Sequence, residues 1–321
     1  MTQSRGGHHG DVAYVFEDAG FDTEPTDTEF KNFGGNATLD TFDGSHNAVR
    51  VFNADRKAAE VIEQTFDGSW SVTISGLTEP PWWLAALFGQ PTTTNISGSL
   101  YEHVYGIETS NEPISLRLYA PTEGFSDYVA IPGAAVASVT VDQDADGSPD
   151  VTIDGAYARE PFTESSLSPE APAFSQSSFT NRDAELQSNG DTVAKAQSAS
   201  VSLAGNTDMI GEIGSENAVD FVPRAWEPST DWEKIIATDQ TVDPRQTFED
   251  GGTYTTSLRY DNGETSDGEY SVEWAVSGAL PNDWSESGRN DPDADLVESL
   301  SELAADATIT MRSDDATPPG V

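Results

Sequence analysis

AVASVTVDQDADGSPDVTI, residues 135–153, holds the reading on which the fold turns. Val136, Val139 and Val141 sit among Ser and Thr in a short β-branched run, and Asp150–Ile153 starts a second. Between them stands Asp146-Gly147, a tight-turn signal. Strand, turn, strand is therefore the unit. The same texture recurs at Asn47–Phe52, Ser69–Ile74, Ile114–Tyr119, Ala199–Leu203, Tyr254–Tyr260, Glu269–Val276 and Ala307–Met311. Asp43-Gly44, Asp67-Gly68 and Asn262-Gly263 read as further turns. The chain is expected to be mainly β.

The turn in this hairpin has a second reading. Asp142, Asp144, Asp146 and Asp150, with Gly147 between them, match the first half of a calcium loop, with carboxylates at alternate positions before a glycine. The bidentate Glu of such a loop is missing, because Ile153 stands at the twelfth position. The segment also lies between strands rather than helices. A solvated hairpin turn and a Ca2+ or Mg2+ site held by these four Asp both fit. No other cofactor is expected.

Three helices are expected. Glu79–Phe88 has Pro in its first turn and Gly89 after its end. Thr230–Ala237 opens with a cap-like Thr and acids. Pro292–Ala305 carries Leu296, Val297, Leu300 and Leu303 close to one face, behind the acidic run Asp291–Asp295, which would cap it. Pro161–Ser178 is rich in Ser and Pro and reads as a linker. The boundaries drawn are a first β module over 1–160, a linker or extended loop over 161–190, a second β module over 191–312 and a tail over 313–321. The two modules would be a weak internal duplication, each with a Pro-Trp segment opening a short helix.

Charge sets the environment. The chain of 321 residues has 56 Asp and Glu against 15 Lys and Arg, a net charge of -41. Of the basic residues only Lys31, Lys57, Lys195 and Lys234 are lysines. Self-repulsion of this size opposes compaction in dilute salt and is screened at a Debye length of about 3 Å in molar salt. A halophilic archaeon, or something that grows in one, is the expected source. There is no Cys, which excludes disulfides and thiolate chemistry. No apolar run reaches the roughly 20 residues of a membrane span, and the start lacks a signal-peptide core. Gripping nucleic acid would need clustered Lys and Arg, which the chain lacks.

Catalytic signatures are missing. His8, His9, His46 and His103 show no zinc spacing, and neither a G-x-S-x-G elbow nor a GK[ST] loop occurs. His103 is expected as a packed or surface residue. Trp82 and Trp83 would be core or interface residues, or else a carbohydrate platform or part of a membrane-surface helix.

The order of the pieces resembles a family. The short helix PWWLAALFG (81–89), the strand YEHVY (101–105), the Pro-Ile-Ser-Leu strand (113–118), IPGAAVASVTV (131–141) and AQSASVSLAGN (196–206) are similar, in sequence order, to the tail tube proteins of long-tailed viruses. The resemblance covers about 67–208 and fades beyond. It implies a β-sandwich or barrel with short flanking helices, a structural virion protein with no catalytic residues, and rings stacked into a hollow tail tube through which viral DNA passes. Three chains of two modules, or six of one, would close a ring. Other tail proteins would be partners, and the charge then suggests a virus of a halophilic archaeon. The rival readings are another tail or head-completion component, a halophilic carbohydrate-binding β-sandwich, and a hydrolase with an acid pair that the sequence does not single out.

Overall fold

The computed structural model describes residues 12–17, 21–25, 30–34, 36–52, 58–77, 80–107, 112–121, 128–164, 179–212, 215–236, 242–263, 270–288 and 295–316. These residues form a two-sheet β-sandwich with short helices and a separate two-stranded ladder over residues 208–222. In chain order the first strands are β1 (Ala13–Phe16), β2 (Lys31–Asn32), β3 (Asn36–Phe52), β4 (Ala58–Ser75), β5 (Thr92–Ser97), β6 (Leu100–Gly106), β7 (Leu116–Pro121), β8 (Tyr128–Asp144), β9 (Asp150–Tyr157) and β10 (Phe162–Glu164). They continue as β11 (Ala184–Ser188), β12 (Asp191–Thr192), β13 (Ala196–Ala204), β14 (Asp208–Gly211), β15 (Ala218–Val222), β16 (Glu227–Ile235), β17 (Tyr254–Asp261), β18 (Ser271–Ser287), β19 (Val297–Leu303) and β20 (Asp306–Ser313). Every pairing is antiparallel.

One sheet, the broad sheet, runs β3, β4, β9, β8, β13, β16, β19 and the second half of β18. β7, with β1 and β2 beyond it, and β10 extend the first half of β8. The opposing sheet runs β12, β11, β17, the first half of β18, β20, β6 and β5. β18 serves both. It leaves β20 after Ser277 and β17 after Ala279 and joins β19 from Leu280, and Gly278 in this crossing has a φ of +62° that suits a residue without a Cβ.

The strands form because apolar residues recur at every second position. Val139, Val141, Val151, Ile153, Val72, Ile74, Val201 and Leu203 from the broad sheet face Leu258, Val272, Trp274, Val276, Ile309 and Met311 from the other. One apolar cluster runs from Val12 to Met311. It contains residues from both sides of the 161–190 boundary. Strand pairing crosses that boundary twice, at β8–β13 and at β6–β20. The two halves of the chain thus share one core. Of the 161–190 segment, 165–178 lie outside the described residues, and β11 is an integral strand of the opposing sheet.

The expected helix at 79–88 is present as a 3-10 turn (Trp82–Leu84) running into α1 (Ala85–Phe88), ended at Gly89 with φ 75°. All of its side chains are buried. Trp83 stacks on Trp274 at 6.4 Å, Trp82 meets His103 edge-on at 4.9 Å, and Phe88 stacks on Trp226 at 4.8 Å. This corrects any reading of the Trp pair as an exposed glycan platform.

Where described, the other two expected helices are strands: Thr230–Ala237 overlaps β16 and Pro292–Ala305 overlaps β19, while residue 237 and residues 291–294, most of the expected acidic cap, lie outside the described residues. In β19 the alternation is strict but Glu298 and Glu302 take inward positions, so Leu300 alone marks the buried face. Removing two acids from the inward row leaves a spacing that imitates a helix. Buried partners make these positions possible. Glu302 accepts from Thr230 Oγ1, from Trp232 Nε1 at 2.8 Å and from Tyr254 OH at 2.7 Å. Lys234, buried on β16, lies in the electrostatic reach of Glu298 and donates to the carbonyl of Val242. A helix outside the expected three, α2 (Pro244–Asp250), has Asp243 accepting from Gln246 N at 3.1 Å, Pro at its start and Gly251 with φ 62° at its end.

Two expected turns are not turns. Asp43-Gly44 and Asp67-Gly68 lie opposite one another inside the β3–β4 ladder. A Cβ on Gly44 would stand 2.6 Å from the Phe66 ring, and one on Gly68 would stand 2.5 Å from the Tyr157 ring. The glycines make room for aromatic rings, and Tyr157 OH then donates to the Asp43 carbonyl at 3.0 Å.

At the far end of the broad sheet Glu17 is buried. It accepts from Ser115 Oγ at 2.7 Å, Asp22 N at 2.8 Å and Gly133 N at 2.9 Å, with Arg117 Nε 3.7 Å away. Desolvation outweighs these contacts and raises its pKa above the ordinary carboxyl value; desolvation raises Asp22, Glu298 and Asp315 as well. Between the ordinary and the raised value the folded state holds protons that the unfolded chain has released. Stability from these groups therefore grows as pH falls through that window. His103 acts oppositely, since desolvation lowers its pKa, and stability from it is lost as pH falls below 6.5. Comparing Glu17→Gln with the wild type isolates the Glu17 contribution. Melting temperatures taken from pH 7 to pH 4.5 in constant molar salt are expected to rise less in the variant; parallel curves would contradict this.

Candidate functional site

The outer face of the broad sheet is a flat field of small hydroxyls and acids. It follows from the same alternation that builds the core. On β8, β9, β13, β16 and β19 the inward positions are mostly taken by core residues, so Ser, Thr, Asp and Glu fill the outward ones.

Strand register aligns these residues in rows. One row runs Ser75, Asp150, Asp142, Ser200, Asp231, Ser301, Asp283. The next runs Thr38, Thr73, Thr152, Thr140, Ser202, Ser229, Leu303. Flanking these, Ser71, Asp154, Ser138, Ala204 and Glu227 form one row, and Asp144, Ser198, Glu233, Ser299 and Ser285 another. The acids of these rows are exposed, and no Lys or Arg stands in any of them.

Hydroxyls tie the acids down. Ser299 Oγ donates to Glu233 at 2.9 Å, Ser138 Oγ to Asp154 at 3.3 Å and Ser301 Oγ to Asp231. Thr140 and Ser202 share a hydrogen bond at 3.2 Å. The surface is thus smooth, anionic and short in side-chain reach. A shallow groove of about 290 Å³ crosses it between Asp142, Asp144, Asp231 and Glu233.

Asp142 and Asp150 belong to this face, directly opposite each other across the β8–β9 hairpin. Asp144 ends β8 and Asp146 lies in the turn; all four are exposed. Gln143 Nε2 holds the turn by donating to the carbonyls of Asp144 and Gly147, the latter at 3.1 Å. Among the described residues no group of three or more His, Asp or Glu gathers closely enough to hold a metal ion. His103 is buried, with its ring nitrogens on Thr93 Oγ1 at 2.9 Å and the Asp315 carbonyl at 3.1 Å. Its setting is that of a packed residue. No helix of the described residues is long and apolar enough to cross a membrane.

Sequence reading singled out the Asp-rich β8–β9 hairpin, as a solvated turn or a metal loop and not as part of a face, and took β16 and β19 for helices. The signal was there in β16: Glu227, Ser229, Asp231 and Glu233 alternate with Pro228, Thr230, Trp232 and Lys234, all four of the latter buried. The buried Lys hid it.

Comparison with known proteins bears on this geometry. No curated protein matches the chain. Among solved structures, a chain of the anti-feeding prophage (AFP) baseplate, from a 6-fold symmetrised cryo-EM structure, is similar over 56% of this chain and 95% of its own, at 11% identity and a TM-score of 0.28. A family model described as phage tail tube protein matches residues 7–273. A mainly β sandwich agrees with that match, and the chain belongs to the phage tail tube protein family, the structural proteins of the virion tail.

Proposed function

We propose that this chain is the major tail tube subunit of a virus of a halophilic archaeon, made in the host cytoplasm. Copies would close into rings, and the rings stack into a hollow tube that carries the genome. The observation behind this reading is the outer face of the broad sheet, which we assign to the lumen. DNA is gripped by cations that neutralise phosphates. A face of Asp, Glu, Ser and Thr without a Lys or Arg offers no such grip, whatever the salt. Because both halves of the chain share one core, we assign one sandwich per chain and six chains per ring, rather than three. Closing the ring takes head-to-tail contacts, and an open contact along the axis propagates the stack. The β3–β4 hairpin is suited to the axial contact, since β4 pairs with β9 only from Gly68 to Ser75 and, among the described residues beyond that stretch, no third strand joins its ladder, Phe66 N bonding to the Glu216 carbonyl being a single contact.

Cryo-electron microscopy of the purified protein in about 3 M salt, where repulsion is screened, tests this. Hollow rings or tubes about 10 nm wide are expected, the width of six domain-sized bodies around a channel. The β8–β13–β16 face should line the channel. Monodisperse small particles would overturn the tube reading, and a map with that face on the outside would overturn the lumen assignment.

A further inference from the structure

From Pro80 to Tyr101 the chain holds no Asp, Glu, Lys, Arg or His, in a protein of which 22% of residues are charged. Burial of the Trp-rich turn and α1 explains the first part of that run. It does not explain the second, because β5 (Thr92–Ser97) is exposed at Thr92, Thr94, Asn95, Ile96 and Ser97. Ile96 is 44% exposed.

β5 is also an edge. It pairs with β6, and among the described residues no strand pairs with its other side. Proteins usually shield such edges with charged side chains, Pro or bulges, since open N–H and C=O groups invite another strand. β5 has one irregularity in its ladder, between Asn95 and Ser97, but carries no charged side chain. A chain with a net charge of -41 keeps its acids off this one exposed edge, and lines it with Thr and Ile, which favour strands.

The opposite edge of the same sheet, the β11–β12 hairpin, is acidic, with Glu185 and the exposed Asp191. Two acidic edges would repel. With so few cations in the chain, an acidic edge is best met by an uncharged one. We infer that the β5 edge of one copy adds as a strand to the β11–β12 edge of the next copy. The inference rests on the ring reading above and gives it a direction: unlike edges meet, so the contact is heterologous and, on that reading, its rotation closes a ring.

The native absence of Cys makes cross-linking a clean test. Thr92 and Thr94 stand on the outer face of the sheet, in register with Val104 and Glu102, and Thr192 stands on it opposite Gln187. Strand partners on one face bring Cβ atoms within about 4.5–5.5 Å, near disulfide range. Thr94→Cys/Thr192→Cys and Thr92→Cys/Thr192→Cys are oxidised in about 3 M salt, beside the single variants. A ladder of covalent oligomers in at least one double variant, absent from the singles, is expected. Amides of Thr92–Ser97 should exchange about tenfold or more slowly in the assembly than in the monomer. Wild type that assembles while neither double variant cross-links, or while β5 amides exchange as fast as in the monomer, overturns the edge assignment and leaves the ring reading standing. Dimers from a single Thr94→Cys variant would show β5 meeting its own copy and overturn it too. Wild type that stays monomeric overturns both readings.

Discussion

Replacing Trp82 and Trp83 together by Ala is expected to abolish the fold or lower the melting temperature by more than about 10 °C. Truncating a buried Trp typically costs about 3–5 kcal/mol, and a domain of this kind has only about 5–15 kcal/mol to lose. Both indoles are buried, Trp83 fully, and they touch different partners: Trp274 on β18 and His103 on β6. The turn they start also positions Phe88 on Trp226. Removing the pair therefore opens a cavity where the uncharged segment meets the opposing sheet. Circular dichroism melts in molar salt, with sedimentation to follow assembly, measure the effect. An unchanged melt and unchanged assembly would mean that this segment is not part of the core.

Lowering monovalent salt from about 1 M to about 0.1 M is expected to lower the melting temperature by about 10 °C or more, and at the lower end to unfold the protein. Asp142 and Asp150 are directly opposed in the ladder. One strand separates Asp142 from Asp231, through Ser200. Opposed side chains stand about 5 Å apart. At 1 M salt the Debye length, about 3 Å, is shorter than that spacing; at 0.1 M it is about 10 Å and takes in the neighbours on every side. Each like-charged contact then costs some tenths of a kcal/mol to about 1 kcal/mol, and a chain of this size loses a few degrees per kcal/mol. The double variant Asp142→Asn/Asp150→Asn should need less salt to reach the same melting temperature. A melting temperature independent of salt over this range would contradict the halophilic reading.

Much of the strand framework was legible because it depends on a local rule. In β8, β9, β13 and β20 apolar side chains alternate with hydroxyls, and a pattern of period two needs no knowledge of what lies opposite. The short helix at 82–88 was legible for a similar reason, with Pro before it and Gly89 after it. β16 and β19 were not. Their inward rows hold Lys234, Glu298 and Glu302, charges that are stable inside only because distant residues meet them: Tyr254 from β17, Trp232 across the ladder, the Val242 carbonyl from a loop. Glycine was misread on the same ground. Gly44 and Gly68 look like turns beside Asp, yet they serve the ring of Tyr157, far away in the sequence.

The sequence by itself determined a mainly β chain, a strongly acidic composition poor in Lys and Arg, and the absence of thiol chemistry, because composition and short-range alternation carry that information. Only the tertiary structure decided that the halves share one core, that acids from β8, β9 and β16 form one face, and that the uncharged segment ends in an open edge. Those facts depend on which strands become neighbours, and antiparallel pairing across tens to hundreds of residues is decided by packing in the finished core rather than by any local run of residues.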